Sequence, residues 1–173
     1  ERLFREAEKT LAEASGKEQI TLLDFETEES ILNPNHSHPA VTTLVNDAPD
    51  RGGQAAAKTH VDSSAGANGF FTTGFSIATR DLSGLESIEV WIKTDMVGSF
   101  NLQVHNADQR ASVFGFSTIG SKPEAWARIL APVAQFQQPP WAKQAVDWVE
   151  VSKVQVTAHG NGPYDGRYLM VDS

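Results

Sequence analysis

Carboxylates lie in short apolar segments near the two ends of the sequence. Asp24 and Glu26 belong to a segment that begins at Leu22, and Asp172 ends the segment that begins at Tyr168. Both segments have the alternating or apolar pattern of a β-strand. A first and a last strand that bring acidic side chains together favour a hard cation, and Ca²⁺ accepts several oxygen ligands in flexible geometry. We therefore expect a structural calcium ion in a β-sandwich that its terminal strands close.

A second group of side chains has the chemistry of a sugar-binding surface. Polar and apolar residues alternate along 88–94 and 100–105, and successive side chains of a strand point to opposite faces. With the apolar residues in the core, the other face presents an aromatic ring, a base, two amides and a histidine: Trp91, Lys93, Asn101, Gln103 and His105. Aromatic rings stack on sugars, and amides hydrogen-bond their hydroxyls. If the strands are neighbours, these residues share one surface; the alternative is a buried Trp91 on a merely solvated face.

Loops supply three further candidate ligand contacts. Trp141 follows two prolines, and a tryptophan on such a stiff turn either stacks on a sugar or packs on the sandwich. Tyr164 stands in a polar, glycine-containing turn, and Arg110 is the third candidate. A paired set of carboxylates for glycoside hydrolysis cannot be recognised, because any of 22 acidic residues could supply one. The sequence has no G-x-S-x-G, H-E-x-x-H or EF-hand pattern, so we expect no catalytic site.

Composition bounds the class of protein. A chain of 173 residues suits one domain with a substantial core, and its apolar runs are too short to span a membrane. The net charge of −8 argues against a nucleic acid or an anionic membrane as partner. The absence of cysteine excludes disulfides, thiolate metal sites and cysteine catalysis. The sequence begins without methionine and ends directly after an apolar segment, so we expect an excised part of a longer polypeptide.

The periodicity divides the chain into two parts. Residues 1–16 have helical spacing of apolar side chains and end at Gly16, which predicts an N-terminal helix or linker. Residues 17–173 change to a period of two with frequent turn signals, which predicts an all-β sandwich of two antiparallel sheets. The expected strands occupy 20–26, 41–45, 55–61, 70–77, 88–94, 100–105, 112–118, 126–132, 149–157 and 168–172.

Several segments together resemble jelly-roll carbohydrate-binding modules of the galactose-binding-like group. They are the opening Asp24–Glu26, the turn and strand 50–56, the Gly turn and central strand 82–92, the strand from Trp126, and the last strands 154–156 and 168–172. The resemblance implies a jelly-roll fold and a structural Ca²⁺ held by Glu26, the backbone near Gly52 and Asp172, with Asp24 or Asp50 helping. The arrangement of an N-terminal helix followed by such a module resembles the non-catalytic N-terminal module of some β-agarases.

The resemblance implies a function as well. We expect a secreted or cell-surface, bacterial-type, monomeric module without catalytic activity that holds an attached glycoside hydrolase on a polysaccharide. An agarose- or porphyran-type marine galactan is the ligand that the agarase resemblance favours. Two alternatives remain open at this point. One is a structural domain that packs on a catalytic barrel without binding sugar, and the other is a catalytic jelly-roll lyase or hydrolase that uses His105, Arg110 and Tyr164.

Overall fold

A computed structural model describes residues 20–31, 34–49, 53–62, 69–118, 122, 124–160 and 162–173. The predicted helix at 1–16, Asp50 and Gly52 lie outside the described residues. None of the described residues forms a helix long and apolar enough to cross a membrane. Short 3-10 turns occur at Glu28–Ile31 and Val133–Gln135, and every other regular element in these ranges is a β-strand.

Ten strands follow one another along the described chain. They are β1 Pro34–His36, β2 Ala40–Val45, β3 Ala56–Val61, β4 Phe70–Arg80, β5 Ser87–Thr94, β6 Ser99–His105, β7 Ala111–Ser117, β8 Ala127–Pro132, β9 Val151–His159 and β10 Tyr168–Asp172. The strands form two five-stranded antiparallel sheets. The front sheet has the order β1-β4-β9-β6-β7, and the back sheet has the order β2-β3-β10-β5-β8. This jelly-roll β-sandwich confirms the fold class predicted from the sequence.

The core lies between the inner faces of the two sheets. Strand alternation sends Phe71, Phe100 and Leu102 of the front sheet and Ile92 and Leu169 of the back sheet into it, each at most 1% exposed. Burial of such side chains stabilises each by about 1.5–3 kcal/mol relative to exposure. The apolar half of each alternating segment therefore fixes which residues remain for the outer faces.

Hydroxyl groups cross the core at one place. Thr59 Oγ1 of the back sheet is 2.8 Å from Thr42 Oγ1 and 3.0 Å from Thr73 Oγ1 of the front sheet. His36 Nε2 of β1 lies 2.7 Å from Thr42 Oγ1 and completes the chain. Buried polar groups are costly unless they are hydrogen-bonded, and this chain satisfies them while joining the two sheets.

The predicted first strand at 20–26 is wrong. These residues form turns, because the Asp24 carboxylate accepts a hydrogen bond from the Glu26 backbone N–H at 3.0 Å and bends the chain there. The apolar residues of the segment instead close one end of the sandwich. Phe25 is 1% exposed and packs edge-on against Phe75 with ring centroids 5.0 Å apart. The first described segment still meets the last residue, because the Ser173 hydroxyl donates to the Leu23 carbonyl.

Strand β1 is not among the strands predicted from the sequence. Its three residues include a proline and alternate over too short a span to give a strand signal. Pairing with β4 brings it into the sheet, with Asn35 opposite Gly74. As an edge strand it can accommodate Pro34, which has no N–H to donate.

Candidate functional site

The two strands expected to form one sugar-binding surface are not neighbours. β5 lies in the back sheet and β6 in the front sheet, so Trp91 and Lys93 face away from Gln103 and His105. Residues 95–98 cross from one sheet to the other instead of turning back as a hairpin. Alternation defines which side chains face outward from a strand, but it does not define the strand's partner. The single surface predicted from the sequence is therefore wrong, and its residues divide into two groups.

The back-sheet group is tied to its own neighbours. The Trp91 indole N–H donates to Glu89 Oε1 at 2.9 Å, and the Arg128 guanidinium bonds Glu89 Oε2 at 2.6 and 2.9 Å. Lys93 Nζ pairs with Asp47 Oδ2 at 2.7 Å, and this hydrogen bond lowers the pKa of the Asp47 carboxyl. These polar groups bond one another within the back sheet.

The front-sheet group belongs to a broad polar surface. Seventeen residues occupy outward positions of the five strands: Asn35, Phe70, Thr72, Gly74, Ser76, Lys153, Gln155, Thr157, His159, Ser99, Asn101, Gln103, His105, Ala111, Val113, Gly115 and Ser117. We call this surface the polar face. It contains the predicted contacts Asn101, Gln103 and His105, and the cross-strand register sets their neighbours.

A hydrogen-bonded row crosses the middle of the polar face. The hydroxyls of Thr72 and Thr157 lie 2.7 Å apart, and Gln103 Nε2 donates to Thr157 Oγ1 at 3.0 Å. Gln103 Oε1 accepts from Gln155 Nε2 and lies 3.1 Å from His105 Nε2. Gln103 is only 4% exposed although it faces outward, because its neighbours hold it on every side. The row is therefore held in place by hydrogen bonds among its own side chains.

Gly74 gives this row its space. A Cβ atom at Gly74 would lie 2.9 Å from Gln155 Cβ and 3.0 Å from Gln155 Oε1, closer than side-chain atoms normally approach. The glycine thus allows the Gln155 side chain to lie flat on the sheet. The result is a surface of short polar groups between longer side chains.

Trp141 stands at one end of the polar face. Its ring stacks on the His105 imidazole with centroids 5.7 Å apart and planes inclined by 20°, and the residue remains 58% exposed. One side of the indole is thus held by the protein while much of the ring is open to solvent. This is the arrangement of an aromatic platform for the C–H side of a sugar.

The Trp141 loop is attached to the front sheet by its backbone. Gln137 and Val113 exchange two backbone hydrogen bonds, at 2.8 and 2.9 Å, along the edge strand β7. The Ala142 N–H donates to the Pro139 carbonyl at 3.1 Å and closes the turn that carries the tryptophan. The sequence prediction of a tryptophan on a stiff turn therefore has a structural basis, and the loop positions the ring beside β6.

Burial lowers the pKa of His105 to about 4, with a smaller contribution from the charge of Lys153. A folded pKa below the unfolded value of about 6.5 makes protonation favour unfolding. We expect the free energy of unfolding to be unaffected by His105 above pH 6.5. Below that pH, protonation of His105 in the unfolded chain should lower the free energy of unfolding, by on the order of 2 kcal/mol toward pH 4. Urea unfolding at pH 7 and at pH 4.5 measures this loss. His105→Gln should show a shallower pH dependence, and an unchanged dependence would contradict the assignment.

Arg110 is part of a structural ion-pair cluster. Its Nε bonds both Asp108 oxygens at 2.8 Å, Nη1 bonds Asp147 at 3.0 Å and Nη2 bonds Glu150 at 3.1 Å. The bonds to Asp147 and Glu150 hold the β6–β7 turn against the segment that precedes β9. Every guanidinium nitrogen of Arg110 thus bonds a carboxylate, which gives the side chain a structural role at this turn.

Tyr164 was predicted in a polar turn, but it is a core residue. It is 4% exposed, its ring lies 6.4 Å from that of Phe71, and its hydroxyl donates to the Gly160 carbonyl. Burial raises the pKa of this phenol. The residues around Tyr164 in the sequence are polar, so the sequence alone did not indicate that its ring points into the core.

The catalytic grouping of His105, Arg110 and Tyr164 is not assembled. Arg110 contacts Glu150 just before β9, and Tyr164 contacts Gly160 just after it. The nine residues of β9 separate these ends by roughly 26 Å at about 3.3 Å per residue. The cluster proposed for a lyase or hydrolase is therefore wrong.

The predicted metal ligands approach one another in part. A Cβ atom on Gly53 would lie 2.6 Å from Glu26 Oε1 and 4.0 Å from Asp172 Oδ2, so both carboxylates lie close to this glycine. Glu26 Oε1 also accepts the N–H groups of Gln54 and Ala55, at 2.9 and 3.2 Å. The described residues contain no group of three or more His, Cys, Asp or Glu side chains arranged for a metal. Of the predicted calcium ligands, the structure therefore brings two carboxylates together, those of Glu26 and Asp172.

Sequence reasoning missed most of β4 and β9 as contributors to the polar face. Thr72, Lys153, Gln155 and Thr157 stand beside the β6 residues only because β9 pairs with both β4 and β6. The alternation of β9 predicts which of its residues face outward, but it does not predict that β9 pairs with β6, some fifty residues earlier in the chain. The site is a product of sheet order.

The fold is that of carbohydrate-binding modules, and the resemblance seen in the sequence is confirmed at this level. The family 11 module of a cellulosomal cellulase of Clostridium thermocellum is 14% identical with a TM-score of 0.60, over 90% of this chain and 93% of that chain. The module TmCBM61, solved with β-1,4-galactotriose, is 14% identical with a TM-score of 0.51, over 89% and 95% of the chains. An exo-β-agarase is 12% identical with a TM-score of 0.60, over 89% of this chain and 24% of that chain. No protein-family profile and no curated protein matches the sequence.

Proposed function

We propose that this domain is a non-catalytic polysaccharide-binding module whose site is the polar face with Trp141. The observation that carries the proposal is the exposed Trp141 ring, stacked on His105 at the end of an ordered row of amides and hydroxyls. A platform beside fixed hydrogen-bonding groups is what recognition of a sugar requires. The fold shared with carbohydrate-binding modules supports this reading.

The polar face suits a polymer rather than one sugar. It extends along β4, β9 and β6, of which β9 alone spans roughly 26 Å. Gln103, Gln155 and Thr157 are already ordered, so binding needs little further loss of side-chain freedom. Affinity for one chain segment would be modest, and attachment to a hydrolase that holds the same polymer would raise it.

A galactan is our proposed ligand, and an attached glycoside hydrolase is our proposed partner. Structural similarity to a module solved with a galactotriose and to about a quarter of an exo-β-agarase supports both. A second family 11 structure was solved with a mixed-linked β-1,3-1,4 tetrasaccharide, so β-glucan is the first competing ligand. The proposal includes an extracellular location, where such polymers occur.

Affinity electrophoresis tests the proposed function. The domain is run through gels containing agarose, porphyran, carrageenan, β-1,4-galactan, xylan or mixed-linked β-glucan. We expect retardation by a galactan and no release of reducing or unsaturated products. Retardation by β-glucan alone would retain the module and replace its ligand. Normal mobility in every gel would overturn sugar binding and favour a structural domain that packs on a catalytic barrel, whereas product release would establish an enzyme.

We further propose that Glu26 and Asp172 hold a structural Ca²⁺ beside Gly53. The fit rests on the two carboxylates that converge on a residue without a side chain. Asp172 is 7% exposed, and a buried carboxylate gains from a cation. The remaining ligands would be oxygens of Asp24 and of the backbone before Gly53, where Gly52 was expected to contribute. Such an ion would stabilise the closure of the sandwich by its two ends.

Removal of calcium is expected to lower the melting temperature. At a Ca²⁺ concentration one hundred times its dissociation constant, the ion would add about 2.7 kcal/mol, or roughly 5–10 °C for a domain of this size. Thermal unfolding with excess EDTA and with 5 mM CaCl₂ measures the difference. The variant Glu26→Gln should unfold at the same temperature in both buffers. Identical curves for the unaltered domain would refute the calcium site.

A further inference from the structure

The polar face contains no acidic residue at any of its described outward positions, although the chain has 22 acidic residues among 173. The sequence 137–146, which forms the Trp141 loop, also lacks Asp and Glu and contains Lys143. Because the polar face and this loop carry the positive charges of Lys153 and Lys143, the rest of the chain must be more acidic than the net charge of −8. An acid-free surface on an acidic protein points to a ligand that carboxylates would repel.

Lys153 is the charged group on this surface. It faces outward from β9 between Ser76 of β4 and His105 of β6, and it is half-buried. Burial lowers the pKa of its ammonium, and its charge contributes to lowering the pKa of His105. Among the described residues, none makes an ion pair or a hydrogen bond to the Lys153 ammonium.

Several other cations of the domain are paired with nearby carboxylates. On the back sheet, Lys93 pairs with Asp47 and Arg128 pairs with Glu89. At the β6–β7 turn, Arg110 pairs with three acids. A partly desolvated cation gains most from an opposite charge. Lys153 lies directly opposite His105 of the Trp141–His105 stack, and no described carboxylate pairs with it.

We infer that the polar face binds an acidic polysaccharide, with a sulfate ester or carboxylate of the polymer placed on Lys153 beside the sugar that stacks on Trp141. This inference rests on the proposed function, because it assigns a charged ligand class to the same site. The ammonium supplies the charge, and the neutral imidazole and amides supply hydrogen bonds to hydroxyls. A uronic acid and a sulfated sugar offer the same anionic chemistry at this position.

Two matched polymer pairs test the inference by titration calorimetry. One pair is a sulfated galactan and the same polymer after desulfation, and the other is polygalacturonate and its methyl ester. We expect the charged member of at least one pair to bind about tenfold more tightly, as for one charge-assisted hydrogen bond. The pair that shows the preference identifies the anion. Because the domain itself is acidic, nonspecific electrostatics would oppose this result.

Charge-removal variants assign the preference to its residue. Lys153→Gln should abolish the preference while retaining affinity for the neutral polymer. The matched control Lys58→Gln makes the same charge change on the back sheet and should keep the preference. Equal binding of charged and neutral polymers by the unaltered domain would overturn the inference and leave the module function intact. Failure of all four polymers to bind would also overturn the inference, and retardation in the β-glucan or xylan gels would then show that the module function remains.

Discussion

Replacing Trp141 with alanine is expected to abolish measurable retardation of the domain by its polysaccharide. The indole is 58% exposed and loses that exposure when a sugar ring covers it. Loss of the stacking area corresponds to about 2 kcal/mol, or roughly 30-fold in affinity. His105 would remain but offers a smaller surface. Calorimetric titration with the oligosaccharide of the retarding polymer measures the change, and the unfolding free energy shows whether the fold is retained.

Trp91→Ala is the matched control, because it removes the same side chain from the opposite sheet. Trp91 lies among Glu89 and Arg128, away from the polar face. We expect this variant to bind with unchanged affinity. If binding were lost in Trp91→Ala and retained in Trp141→Ala, the site would lie on the back sheet and our assignment of the faces to function would be wrong.

Phe25→Ala is expected to cost about 3–5 kcal/mol of unfolding free energy. Phe25 is 1% exposed and fills the end of the sandwich against Phe75, although it lies in a turn rather than a strand. Its removal would leave a cavity between the sheets and release the segment that carries Glu26. Urea unfolding at pH 7, with calcium held constant, measures the loss.

Phe70→Ala provides the comparison for that measurement. Phe70 is 36% exposed on the outer side of β4 and contacts His38 edge-on at 5.7 Å. Its replacement should cost less than about 1 kcal/mol, as is usual for a partly exposed position. A similar small loss in Phe25→Ala would mean that residues 20–26 do not close the sandwich, and the calcium proposal would lose its positioning segment.

The sequence predicted the strands well because their apolar periods are clear. In β5, Ile88, Val90 and Ile92 are buried while the residues between them are half-buried, and this pattern alone places the core face. The segment 20–26 has a similar composition, but a single hydrogen bond from the Glu26 amide to Asp24 turns the chain. A local turn of this kind competes with the extended pattern and is not visible in periodicity.

The site was less predictable than the fold, because strand order decides it. Asn101, Gln103 and His105 were assigned to the correct outward side of β6, but their neighbours come from β9 and β4. Proximity along the chain instead favoured Trp91 and Lys93, which the crossing at 95–98 carries to the other sheet. Trp141 was recognised from its prolines, whereas its stacking on His105 depends on backbone pairing between Gln137 and Val113.

The division of aromatic residues between two faces gives the central claim its most direct test. The chain has four tryptophans, Trp91, Trp126, Trp141 and Trp148, and each contributes one indole N–H signal to a ¹⁵N–¹H spectrum. Titration of the labelled domain with the oligosaccharide of the retarding polymer, with signals assigned by single Trp→Phe variants, reports which ring meets the sugar. Our account predicts a saturable shift of the Trp141 signal while the Trp91 signal stays in place. A saturable shift of Trp91 with an unmoved Trp141 would contradict it and move the binding surface to the back sheet.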